Sequence, residues 1–149
     1  MDLQTIYDAL TAEIGLITGK TYTLDYAPVR NYSEQSGFVR YVKPTRWSKE
    51  RVNRGTPLST VAVQVGIIGL MTSQADLHAI ENEIDLLAHS LLRSDRLRAE
   101  HDLTVVAAGT DSAAEGLFSA AGLEGETQVL HAAITLTVRC TYIPAGRGN

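Results

Sequence analysis

Towards the end of the chain, Leu130, Ala132, Ile134, Leu136, Val138, Cys140 and Tyr142 take alternate positions, with His131, Thr135, Thr137, Arg139 and Thr141 among the residues between them. A period of two held over about a dozen residues is the period of a β-strand with one face in a core and one face wetter. A chain that carries such a strand must build a sheet with something packed on one side only. The same period recurs in Val61, Val63, Val65 and Ile67, which alternate with Ala62, Gln64 and Gly66 and put the odd positions in the core.

Two helical patterns can supply the cover. Leu3, Ile6, Tyr7, Leu10, Ile14 and Ile17 recur at helical spacing, with Asp2 placed to cap the start and Gly19 free to take the left-handed conformation that ends it. Leu77, Ile80, Ile84, Leu87 and Leu91 form a second stripe over residues 76–92, which Leu86 and Leu92 widen. Ser73 and Asp76 form a weak capping box before it. Shorter strands are expected at Thr21 to Tyr26, ended by Pro28, at Phe38 to Val42 and at Leu103 to Ala107, with a polar hinge from Ser94 to Asp102. The order α-β-β-β-α-β-β does not alternate strictly, so the expected class is α+β: an antiparallel or mixed β-sheet packed by two main helices. The 149 residues suit one domain, expected over 1–143 with a frayed tail at 144–149. Residues 27–57 are expected to form an extended basic arm or loop. Residues 108–125 are expected to form a Gly/Ala-rich loop, with a short helical turn around Ala113 to Ala121 as a candidate.

Composition narrows the function classes. The net charge of −4 argues against a generally basic nucleic-acid binder. A single cysteine excludes an internal disulfide and a cysteine-based zinc site. The acidic start does not read as a signal peptide, and no apolar run approaches the roughly 20 residues that span a membrane. The expectation is a soluble domain kept in a reducing compartment.

Motifs that would carry chemistry fail on spacing. Gly15 to Thr21 resembles a phosphate-binding loop but is one residue short between its glycines, and it joins a helix to a strand where that loop joins a strand to a helix. His78 and His89 share a helix face about 16 Å apart, too far for one metal. His101 stands in the polar hinge, and His131 lies on the last strand. A Gly-x-Ser-x-Gly turn is absent from the sequence. Cys140 reads as a small buried hydrophobe. Glu81, Glu83 and Asp85 read as a solvated helix face. The expectation is therefore no catalytic residue, no metal and no cofactor.

The remaining signal is charge. Arg40, Lys43, Arg46, Lys49, Arg51 and Arg54 fall among residues 40–54 with one acid, Glu50; that segment is +5 and the rest of the chain −9. Between Arg98 and Arg139 there is no Lys or Arg. With Trp47 among them, these cations form a candidate contact surface for a neighbouring subunit or for nucleic acid.

The opening helix Leu3–Ile17, the aromatic-basic segment from Gly37-Phe38-Val39-Arg40-Tyr41 to Arg54, the strand 61–68 leading into helix 76–92, and the closing strand 128–139 together resemble the tail-terminator proteins of long-tailed bacteriophages. The resemblance covers nearly the whole chain and is one of pattern. It implies a non-enzymatic virion protein, assembled in the host cytoplasm, that forms a ring, a hexamer by analogy, on the last ring of tail tube subunits. Such a ring stops tail polymerisation and presents a surface to the head-side connector or neck protein. A tail sheath is a further candidate partner, and DNA passes through the lumen without specific binding. The alternatives are another neck or tail-completion ring protein, a small nucleic-acid-binding module using residues 40–54, and a small enzyme whose site the sequence does not pair. Arg40, Lys43, Arg46, Trp47, Lys49, Arg51 and Arg54 are the residues assigned to the interface.

Overall fold

A computed structural model describes residues 3–32, 37–51, 57–71, 73–110, 117–118 and 128–141. The elements are α1 (Leu3–Thr18), β1 (Thr23–Leu24), α2 (Pro28–Asn31), β2 (Val39–Arg51), β3 (Pro57–Met71), α3 (Gln74–Leu92), α4 (Asp95–His101), β4 (Leu103–Thr110), β5 (Leu117–Phe118) and β6 (Gln128–Thr141). The class is α+β, and with the short elements α2, α4 and β5 set aside the order is the expected one.

The sheet runs β1-β2-β3-β6-β4, with β5 paired to the start of β6. It is mixed: β1 lies parallel to β2 and every other pairing is antiparallel. The paired positions of β3 and β6 carry the two alternations read in the sequence. Val61↔Val138, Val63↔Leu136, Val65↔Ile134 and Ile67↔Ala132 are cross-strand neighbours, and all eight are buried. The apolar rows of both strands therefore share one face, and a slip of one residue would turn one row out of the core.

The helices cover that face. Ile6, Tyr7, Leu10 and Ile14 of α1 and Ile80, Leu87 and Leu91 of α3 join the strand residues in one cluster, with Leu3, Ile17, Leu77 and Ile84 partly buried at its margin. Leu86 and Leu92 do not widen the α3 stripe; they are 49% and 45% exposed. They fall on the side of the helix turned away from the sheet. Ser73 caps α3 through its hydroxyl, which accepts from the Asp76 amide at 3.3 Å. Gly19 ends α1 with φ +68°, its amide donating to Gly15 O at 2.9 Å. The phosphate-loop lookalike is thus the C-terminal turn of a helix. Asp2, the expected cap of α1, lies outside the described residues.

Four expectations need correction. The polar hinge contains α4, capped by the Ser94 hydroxyl accepting from Leu97 N and closed by Asp102 in the left-handed region at φ 53°. Pro28 opens α2 at its first turn, where the missing N–H costs nothing. The strand expected over Phe38 to Val42 runs on to Arg51, so most of the basic segment is one side of a hairpin with β3. It tolerates Pro44 because β1 pairs the outer side of β2 only at Tyr41 and Val42 and the ladder shifts register between Pro44 and Arg46. The Thr45 hydroxyl bridges that shift by donating to Ala62 O at 2.9 Å. Of the expected 108–125 loop, residues 108–110 end β4 and 117–118 form β5, a strand where a helical turn was a candidate. The rest of that loop lies outside the described residues.

Candidate functional site

Pairing across the β2–β3 hairpin sorts the basic residues by face. Arg40 sits opposite Ile67, in a row that faces the helices, and Trp47, Lys49 and Arg51 pair with Val61, Ser59 and Pro57. Lys43 sits opposite Gln64 and Arg46 opposite Ala62, on the other face. Arg54 lies outside the described residues.

Arg40 is committed to the fold. Its guanidinium grips Glu83 of α3 with two bonds, Nε to Oε2 at 2.7 Å and Nη2 to Oε1 at 2.9 Å. The Tyr22 hydroxyl donates to the same carboxylate. Burial alone would raise the Glu83 carboxyl, but hydrogen bonds from Arg40 and Tyr22 outweigh it and hold the group below its ordinary value. Burial and the neighbouring carboxylate push the Tyr22 hydroxyl up, and the bond to Glu83 raises Arg40. Every charge in the cluster is satisfied, so it acts as a clasp between the sheet and α3. The expectation that Glu83 is solvated is wrong; its side chain is 12% exposed. A second acid, Glu13 of α1, is also buried, 3.7 Å from Arg96 of α4.

The sheet face away from the helices is built differently. At one end Tyr41 and Ile68 are buried, with Tyr32 and Leu70 packed against them. The Tyr41 hydroxyl lies 2.6 Å from His131 Nε2 and 3.1 Å from Gln64 Oε1. Gly66 leaves room for that ring: a Cβ there would stand 2.5 Å from the Tyr41 oxygen. His131 is accordingly a hydrogen-bonded histidine of the packed end. His89 lies 3.4 Å from Asp85 and His101 3.9 Å from Glu100.

Beyond this packed end the face opens into three cross-strand rows. They read Lys43–Gln64–Thr135–Gly109, Arg46–Ala62–Thr137–Ala107 and Ser48–Thr60–Arg139–Thr104. Lys43 is half-buried, and Arg46 and Arg139 are exposed. No Asp or Glu occupies these rows, and strand spacing sets the three cations about 7–16 Å from one another. Arg139 joins this group, though the sequence reading did not single it out. Its signal was available, because it lies on the polar side of the alternation in β6. The helix layer has the opposite sign. α3 carries Asp76, Glu81, Glu83 and Asp85 and no Lys or Arg, and Glu81 and Asp85 are exposed.

The cleft between Leu91, Arg93, Arg98 and Leu103 holds about 50 Å³, against the roughly 300 Å³ or more of ligand pockets. Among the described residues no three His, Cys, Asp or Glu side chains gather to hold a metal, and no helix is long and apolar enough to cross a membrane. Burial raises the Cys140 thiol, which keeps it from being a thiolate nucleophile at neutral pH. Comparison with protein-family models and with curated proteins returns no match for this chain.

Proposed function

We propose that this chain is a structural assembly protein of a long-tailed phage virion, similar to the tail terminators. In this reading it forms a ring that caps the tail tube, stops its growth and joins it to the head-side neck. The observation that carries the proposal is the division of charge between two surfaces of one subunit, a cationic open sheet face and an anionic helix layer. Such a subunit can contact a copy of itself head to tail, and a head-to-tail contact that closes makes a ring. Opposite charges on the two surfaces fix the direction of the contact and penalise the reverse arrangement. The clasp at Glu83 and the packed end at Tyr41 stiffen the body, as a ring wedge requires.

Nucleic-acid binding is the second reading, and Lys43, Arg46 and Arg139 favour it because they could follow a phosphate backbone. The aromatic residues described on this face work against a base-stacking mode, since Tyr41 is fully buried and Tyr32 is packed against it. Native mass spectrometry and light scattering test the proposal: a closed ring near six copies is the expected result. A monomer whose salt-sensitive affinity for duplex DNA depends on Lys43, Arg46 and Arg139 would establish the second reading instead.

A further inference from the structure

We propose that the open sheet face of one copy is covered by the outward side of α3 from the next copy. The inference rests on the assembly reading above and adds the identity of the two surfaces that meet. The sheet already takes α1 and α3 on one face, while among the described residues its opposite face is packed at the Tyr41 end. In the three open rows the cations are separated by the short side chains of Thr60, Ala62, Thr135 and Thr137 and by Gln64, whose Oε1 accepts from the Tyr41 hydroxyl. They form a shallow strip on which a helix can lie close to the strands. The outward side of α3 offers matching chemistry. Glu81 and Asp85 are one helical turn apart, about 6 Å along the axis, and Leu86, about 100° further round the helix with Asn82 and His89 between, is 49% exposed. Leu86 would lie on the Ala62–Thr137 strip while the two acids face Lys43, Arg46 and Arg139. The result is a sheet with helices on both faces, one layer from its own chain and one from its neighbour. The two surfaces lie on opposite sides of the subunit, so every copy can use both at once.

The test is a charge exchange in the full chain. Lys43→Glu/Arg46→Glu/Arg139→Glu reverses the sheet face, and Glu81→Lys/Asp85→Lys reverses the helix face. Each variant should shift the concentration midpoint of assembly upward by roughly tenfold or more, because like charges then oppose each other. Putting both sets in one chain should restore assembly. Mixing the two singly reversed proteins should also restore it, as an alternating ring with an even number of copies. A second measurement does not depend on charge tolerance: Leu86→Cys combined with Thr137→Cys should give a ladder of disulfide-linked multimers on a non-reducing gel. Rings from the wild type, together with unchanged assembly in both reversed variants or the absence of both rescue and ladder, would overturn this pairing and leave the assembly reading in place. A wild type that stays monomeric at every concentration in low salt would overturn the assembly reading and this inference with it.

Discussion

Two acids at core spacing show how single residues set this structure. Glu83 stands three residues after Ile80 and four before Leu87; Glu13 stands three after Leu10 and four before Ile17. Helical geometry alone places both beside a buried stripe, where a carboxylate needs a partner. Arg40 and Arg96 supply the cations. Glu83→Gln should therefore destabilise the fold by about 1–3 kcal/mol, the range for leaving a charged hydrogen-bonding group without its counterpart, as read from denaturant midpoints. The pH dependence has a definite sign. The Glu83 carboxyl titrates below its ordinary value of 4.5 in the fold, so its contribution is present at neutral pH and is lost as the pH falls through the lowered value. The Tyr22 hydroxyl is raised above 10.0, so its contribution is present below that value and declines at more alkaline pH. The acid limb of the stability profile should be shallower in Glu83→Gln than in the wild type; identical limbs would show that another carboxylate governs it. At Gly66 the limit is steric. Gly66→Ala drives a methyl into the Tyr41 ring and the Ala133 side chain, and overpacking of this kind costs about 1–3 kcal/mol. A thermal midpoint unchanged from the wild type would mean that the ring moves aside freely.

At the scale of elements, α3 was the most legible part of the sequence. Its stripe, its Ser73 cap and its end near Leu92 follow from spacing and local chemistry, and they match the structure. Leu87→Ala should cost about 2–5 kcal/mol because the side chain is fully buried. Leu86→Ala should cost under about 0.5 kcal/mol. Reversal of that order in urea titrations would mean the helix is rotated relative to the sheet. The hairpin was less legible. Residues 39–51 contain Pro44, several cations and no clean alternation, so local patterning reads as a loop. The segment is a strand because β3 offers it a full ladder and because its other side is largely free to hold a proline and a bulge. α4 escaped notice for a related reason. Seven residues with one buried leucine, Leu97, give too little periodicity to detect, and the helix persists through its Ser94 cap and its packing against α1 and β4. Ser94→Ala should lower stability by about 1 kcal/mol.

For the whole molecule, charge is the property on which the proposed assembly turns. If the open sheet face and α3 meet between copies, assembly should weaken with salt. The screening length falls from about 10 Å at 0.1 M to about 3 Å at 1 M, so sedimentation should show smaller species at high salt. Rings indifferent to salt would point to an apolar contact elsewhere. The sequence by itself determined the class of the fold, the two main helices and the two core strands, because period and capping are local properties that survive without knowledge of neighbours. It also revealed that positive charge is concentrated in one segment. Only the tertiary structure decided how those cations are divided. Strand pairing sends Arg40 to the helix side, where Glu83 consumes its charge. It turns Lys43 and Arg46 to the open side and brings Arg139 beside them from a strand more than 90 residues away in sequence. The face on which a strand residue lies depends on register, and register is fixed by a partner strand that no local reading contains.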